Sequence, residues 1–224
     1  MPNMFFFTLT IFILVLAVLA VLRHKIYYHF KIVEPDKLYR SGRLSRVGLH
    51  LVCRKYNIKT IISLIPPKQS AEQDYCKMEE RFSRQHNIKL INIPMIVDNP
   101  PEPEKVRQFL RISMNPDFQP VLVHCEGGII RTNMMIAAYL KNRFDKPNQV
   151  IFENLPFFGH GLDKRPAVRD FIINYQKESW DIASEQAGKV KTQAKVESCD
   201  TDNPMMPKDD FELSSLIVPG KNDA

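Results

Sequence analysis

The stretch Val121–Thr132, VLVHCEGGIIRT, constrains this chain more than any other. An apolar run, Val121–Val123, leads directly into Cys125. Two glycines follow, then two isoleucines, Arg131 and Thr132, and then an apolar helical pattern. A strand that ends in a glycine-rich turn and opens a helix builds an anion cradle. Glycines let backbone N–H groups turn inward, and the helix N-terminus faces the negative charge. The loop of Glu126, Gly127, Gly128, Ile129 and Ile130 between Cys125 and Arg131 is long enough to wrap one phosphoryl group. Its amides would hold three oxygens while the Arg131 fork grips two of them. The same positive field favours a nucleophilic thiolate at Cys125. His124 is placed to hold the loop backbone. Thr132 is placed to hydrogen-bond the sulfur and make it a better leaving group. A Cys and an Arg six positions apart mean little alone, and a buried cysteine beside a turn would explain them. Strand, His-Cys, paired glycines, Arg-Thr and helix together are far more specific.

The second constraint is Met4–Leu22, MFFFTLTIFILVLAVLAVL, which carries no charge. About 20 apolar residues span a bilayer core. A cleaved signal peptide would want a basic start, a shorter apolar run and a small-x-small site, and Ala17 and Ala20 are spaced wrongly for that. The expectation is a retained single-pass anchor. Arg23, His24, Lys25 and Lys31 follow it, which predicts a cytoplasmic catalytic domain. Tyr27, Tyr28 and Phe30 suit an interfacial belt.

Between the anchor and the tail, strand and helix patterns alternate. Leu38–Arg40, Ile58–Ile65, Ile88–Ile93 and Pro120–His124 read as strands. Ser45–Tyr56, Ala71–Gln85, Glu102–Ser113, Thr132–Arg143, Pro147–Asn154 and Asp163–Lys177 read as helices. Such alternation predicts an α/β fold with a mainly parallel central sheet flanked by helices. The expected organisation is an anchor with basic flank over 1–29, a catalytic domain over 30–180 and an acidic, disordered tail over 181–224.

Charge supports that division. The formal net charge is +6, yet the tail carries nine acidic residues against five lysines, a net of −4, leaving +10 on the rest. A basic body points to anionic partners such as phosphorylated substrates or lipid headgroups, or to a solvated surface beside a membrane. No basic-aromatic array points to nucleic acid. The four cysteines, Cys53, Cys76, Cys125 and Cys199, show neither disulfide nor zinc-ligand spacing, so neither a disulfide framework nor a metal is expected.

HCEGGIIRT resembles the HCxxGxxR[ST] signature of the cysteine-based protein tyrosine phosphatase superfamily, in its compact dual-specificity-like branch. LYRSGRLS at Leu38–Ser45, IKTIISL, Asn92–Pro94, PVLVHC, the AAYL helix and Phe158-Gly159 extend the resemblance over roughly Ile32 to Gln176. The chain departs from that branch at two places. Ser63-Leu64-Ile65 stands where Asn-Leu-Arg is usual, and Asn133 stands where the residue after the Arg-Thr pair is often Gly. The resemblance implies a phosphomonoesterase with Cys125 as nucleophile, Arg131 as phosphate clamp, no cofactor, and an Asp general acid upstream. Asp98, on the Asn-Pro-Pro loop 27 residues before Cys125, is the first candidate for that acid. Glu102 and Glu104 are alternatives, or helix N-terminal charges, and a site without a dedicated acid stays open. Glu126 at the mouth disfavours highly charged inositol phosphates. Ile129 and Ile130 would make the mouth apolar, or one of them would pack under the loop.

The expectation is therefore a membrane-anchored phosphatase of phosphotyrosine and/or phosphoserine/threonine proteins, working through a phosphocysteine on Cys125. Phosphoinositides are the second substrate class. A catalytically weak phosphate-binding module and rhodanese-type sulfur transfer are the other readings. Nothing in the sequence sets the oligomeric state.

Overall fold

The computed structural model describes residues 2–66 and 70–177; the acidic tail lies outside the described residues. The N-terminal helix α1 runs over Pro2–Ile26. Within it, Phe6–His24 is long and apolar enough to cross a membrane by length and composition, and none of that stretch is buried in the protein.

A five-stranded sheet follows, in the order β1-β2-β5-β3-β4. Its strands are β1 (Lys31–Glu34), β2 (Leu38–Ser41), β3 (Thr60–Ser63), β4 (Lys89–Asn92) and β5 (Val121–His124). Strands β2, β5, β3 and β4 pair in parallel, and β1 adds an antiparallel edge to β2. The sheet is thus mixed. The edge strand KIVE is not among the strands read from the sequence. Its turn signal, Pro35-Asp36 with Asp36 at φ 59°, stands in the sequence.

The strands alternate faces, and two apolar layers form. On one face Leu38, Ile62, Val121 and Val123 pack with Phe109, Leu110, Met134, Ile136, Val168 and Ile172. On the other, Tyr39, Ile61 and Leu122 pack with Leu49, Val52, Cys53 and Phe82. Helices α4 (Pro103–Ser113), α5 (Ile130–Phe144), α6 (Asn148–Asn154) and α7 (Pro166–Asn174) cover the first face; α2 (Arg46–Lys55) and α3 (Ser70–Gln85) cover the second.

Local chemistry sets the boundaries. Ser45 caps α2, its hydroxyl accepting from the Gly48 amide at 3.1 Å. Helix α7 starts at Pro166 rather than at Asp163 because the residue before a proline is kept out of the helical region; Arg165 sits at φ −137°, ψ 61°. Helix α5 starts at Ile130, so Arg131 lies in its first turn.

Candidate active site

The segment from β5 to α5 forms the expected strand, loop and helix. Cys125 is buried at the end of β5, and the loop 126–129 leads into α5. Gly128 has φ 66°, and a Cβ there would lie 2.4 Å from both Gly42 N and Ser41 O. The loop is thus pressed against the end of β2, where only glycine fits.

What holds the loop is a set of contacts to its carbonyls. Glu126 O accepts from the Arg43 amide at 2.9 Å. Gly127 O lies 2.7 Å from His29 Nδ1. Gly128 O accepts from Arg40 Nη2. In a planar trans peptide the N–H points opposite to the carbonyl. Three consecutive outward carbonyls therefore turn the amides of Gly127, Gly128 and Ile129 to the concave side of the loop. With the α5 N-terminus, those amides make a concentration of positive dipole suited to one tetrahedral anion.

Two guanidinium groups flank the loop. Arg131 is buried, and its Nη1 donates to Leu64 O at 3.1 Å and Met95 O at 3.5 Å, past the ends of β3 and β4. Arg40 is also buried, donating Nη1 to Asn133 Oδ1 as well as Nη2 to Gly128 O. Burial draws the Arg40 guanidinium down to about 10, with the nearby Cys125 pulling the other way, so it stays charged at neutral pH. Asn133, the departure noted above, is thus a partner for Arg40, and its Nδ2 donates to Pro156 O at 3.3 Å.

The other expected site residues are placed as follows. Glu126 pairs with Arg43 at 3.2 Å, so its charge at the mouth is offset. Ile129 is buried and Ile130 half-buried against the larger apolar layer, so the apolar mouth is reduced. Thr132 Oγ1 is buried with no hydrogen-bond partner, and the expected bond to the sulfur is not made. His124 does not brace the loop. Its ring lies on the opposite face of β5 from Cys125, with Nε2 2.8 Å from Glu79 Oε1, both side chains buried. The two atoms approach without forming a hydrogen bond. Tyr75 donates to Glu79 at 3.2 Å.

Asp98 is exposed on the loop that leaves Met95, and its Oδ1 lies 2.7 Å from Arg165 Nε. The loop starts beside Arg131, through the Met95 carbonyl. Glu102 and Glu104 flank the start of α4 and pair with Lys105 and Arg107, each at 3.0 Å.

His29, Glu79 and Arg165 were not read from the sequence as site residues, while Arg40 allows two readings there, a residue near the pocket or a brace for its strand. A basic residue between Tyr39 and Ser41 in a fully buried strand is a signal, because an unpaired charge is not buried. Glu79 is another, falling between Tyr75 and Phe82 on the inner face of α3.

Fold, loop and clamp together define a phosphatase of the cysteine-based protein tyrosine phosphatase type. Residues 31–162, more than half of the chain, match the family described as DSP-PTPase phosphatase fused to NAD+ kinase, and the chain belongs to that family. It is 24% identical over 154 residues to a probable NAD kinase 2, chloroplastic, of Oryza sativa subsp. japonica, covering 65% of this chain and 15% of that protein. It is 30% identical over 110 residues to the probable tyrosine-protein phosphatase DG1060 of Dictyostelium discoideum, covering 47% of this chain and 62% of the relative. The chain thus spans less than two thirds of the length of either. Among solved structures, the core catalytic domain of the PP-IP phosphatase SIW14 from S. cerevisiae shares the fold with a TM-score of 0.56 at 22% identity, over 71% of this chain and 91% of that one. TpbA of P. aeruginosa, solved in complex with phosphotyrosine, gives 0.53 at 18% identity, over 72% and 90%.

Proposed function

We propose that this protein is a membrane-anchored, cysteine-dependent phosphomonoesterase acting on phosphotyrosine and/or phosphoserine/threonine proteins. The observation that carries the reading is the loop with three consecutive carbonyls tied outward, Cys125 at its base and Arg131 at its far end.

In the first step Cys125 Sγ attacks phosphorus. The S–P bond forms as the P–O bond to the leaving group breaks. Loop amides and Arg131 stabilise the charge on the equatorial oxygens. Asp98 donates its proton to the leaving oxygen, which requires its pair with Arg165 to open. In the second step water attacks the phosphocysteine, Asp98 takes its proton, and the S–P bond breaks to return the thiolate and release phosphate.

A helix suited to a bilayer, ending directly before the domain, supports action at a membrane face; the basic flank supports the cytoplasmic side. The same address and the Arg43–Glu126 pair favour a second reading, a phosphoinositide substrate, because the acidic mouth no longer repels a polyanion. A PP-IP phosphatase and a phosphotyrosine complex stand among its structural neighbours.

The test is hydrolysis of a small aryl phosphate by the full chain in detergent, with and without Cys125→Ser. Turnover abolished by the substitution supports the enzyme. Phosphate binding without turnover anywhere across about pH 5–8 indicates a binding module instead. Phosphopeptides assayed against phosphoinositides then separate the two substrate classes. Asp98→Asn should slow poor leaving groups by about 100-fold or more and good ones far less; equal rates for both would remove Asp98 from the acid role.

A further inference from the structure

We propose that His29 is a positioning residue for the phosphate loop, making the segment that leaves the apolar helix a working part of the site. The inference rests on reading residues 125–131 as the phosphate cup.

The peptide between Gly127 and Gly128 joins two glycines, and a Cβ at Gly127 would meet nothing nearer than Ile129 Cδ1 at 3.9 Å. Gly128 packs against the end of β2, but no side chain on either residue opposes rotation of this peptide, so the bond to its carbonyl carries that restraint. If that peptide flipped, the Gly127 carbonyl would enter the cup and face the phosphate with a partial negative charge. The Gly128 amide would leave the cup at the same time. His29 opposes that flip, because Nδ1 holds Gly127 O at 2.7 Å on the outer side. A carbonyl only accepts, so Nδ1 carries the proton in this contact.

His29 is itself held firmly. Its ring stacks between Tyr28, at 4.3 Å between centroids, and Phe158, at 4.0 Å. Phe158 also lies under the Arg40 guanidinium at 5.8 Å, and Arg40 binds the next carbonyl along, Gly128 O. Tyr28 is fixed through its own carbonyl, which accepts from Gly42 N at 2.8 Å. Only a glycine allows that approach, since a Cβ at position 42 would lie 2.5 Å from Tyr28 Cδ1. His24, in the final turns of α1, packs edge-on against Tyr28 and His29 at 5.5 and 5.9 Å. A chain of contacts therefore runs from the end of the apolar helix to the phosphate loop.

Two variants separate the donor from the ring. His29→Phe keeps an aromatic ring for the stack and removes the N–H. His29→Asn removes the ring, tolerates the left-handed backbone at φ 51°, and keeps an amide donor. The full chain in detergent is assayed with an aryl phosphate, and inorganic phosphate is used as competitive inhibitor. His29→Phe should raise both KM and the phosphate inhibition constant roughly five- to tenfold, the range for one lost hydrogen bond. It should leave kcat within about threefold, and the thermal midpoint should stay close to wild type. His29→Asn should recover most of the phosphate affinity. Wild-type KM and inhibition constant in His29→Phe would overturn the proposal. So would the reverse order, with Asn weak and Phe normal, because the ring alone would then matter. A wild-type chain with no Cys125-dependent turnover would instead defeat the phosphatase reading itself.

Discussion

Gly128 and Cys53 show how single residues divide the work of the site. At Gly128 an added methyl would strike the backbone of residues 41 and 42, neither of which can move without shifting β2. Gly128→Ala should therefore lower kcat/KM by at least about tenfold, because both the left-handed φ and the contact oppose it. Steady-state kinetics on the folded variant checks this. Cys53 is a buried thiol outside the loop. Burial pushes the Cys53 thiol up to about 12, with the charge of Glu79 adding to it, so it stays protonated and inert at neutral pH. Iodoacetate at neutral pH should modify Cys125 and spare Cys53 in the native protein, and inorganic phosphate should protect Cys125. Peptide mapping reads the result, and rapid labelling of Cys53 would contradict the account. Cys125, the paired glycines and Arg131 were legible at this scale because their chemistry is local in sequence. His29 and Arg40 were not, because they act on carbonyls 98 and 88 positions away and no periodicity records such contacts.

Among the elements, the edge strand β1 and the helix α5 are tied through Glu34. Tyr139 donates to Glu34 at 2.7 Å, Arg143 binds it at 3.3 Å, and Lys37 completes the set. Burial alone would raise the Glu34 carboxyl, but the hydrogen bonds from Lys37, Tyr139 and Arg143 outweigh it and hold the group at about 2, below its ordinary 4.5. The folded state thus favours the ionised form. Its stabilisation is fully present above about pH 4.5 and is lost as pH falls towards 2. Glu34→Gln should be less stable at neutral pH by about 1–3 kcal/mol. It should also lose part of the wild-type decline between those two pH values, as denaturant midpoints against pH would show. An unchanged acid limb would mean the cluster adds nothing. The parallel strands and their helices were legible from apolar runs and helical spacing, with Ser45, Pro103 and Pro166 marking three helix starts. Strand β1 was not, because four residues with two exposed carry too little pattern. The loop that carries Asp98 was legible as a turn, but Arg165, which pairs with Asp98, comes from the start of α7 and has no local signature.

For the whole molecule, the question is how the apolar helix α1 and the domain share their junction. The described α1 side chains from Phe6 to His24 are exposed, so removing residues 2–22 takes nothing from either apolar layer. That truncation should free the protein from membranes while leaving KM for an aryl phosphate near its full-length value. Removing residues 2–29 also deletes Tyr28 and His29, and should raise KM as His29→Phe does. Membrane fractionation and kinetics on the same preparations test both halves. Equal KM values for the two truncations would place the loop's support elsewhere.

In the proposed reaction, turnover passes through a phosphoryl group on Cys125. Rapid acid quench of the full chain during hydrolysis of a radiolabelled phosphate monoester, followed by peptide mapping, measures this directly. Label is expected on the peptide that carries Cys125, formed at least as fast as steady-state turnover, with no label in Cys125→Ser. Continued hydrolysis in Cys125→Ser, or turnover in the wild type with label on another residue, would contradict it.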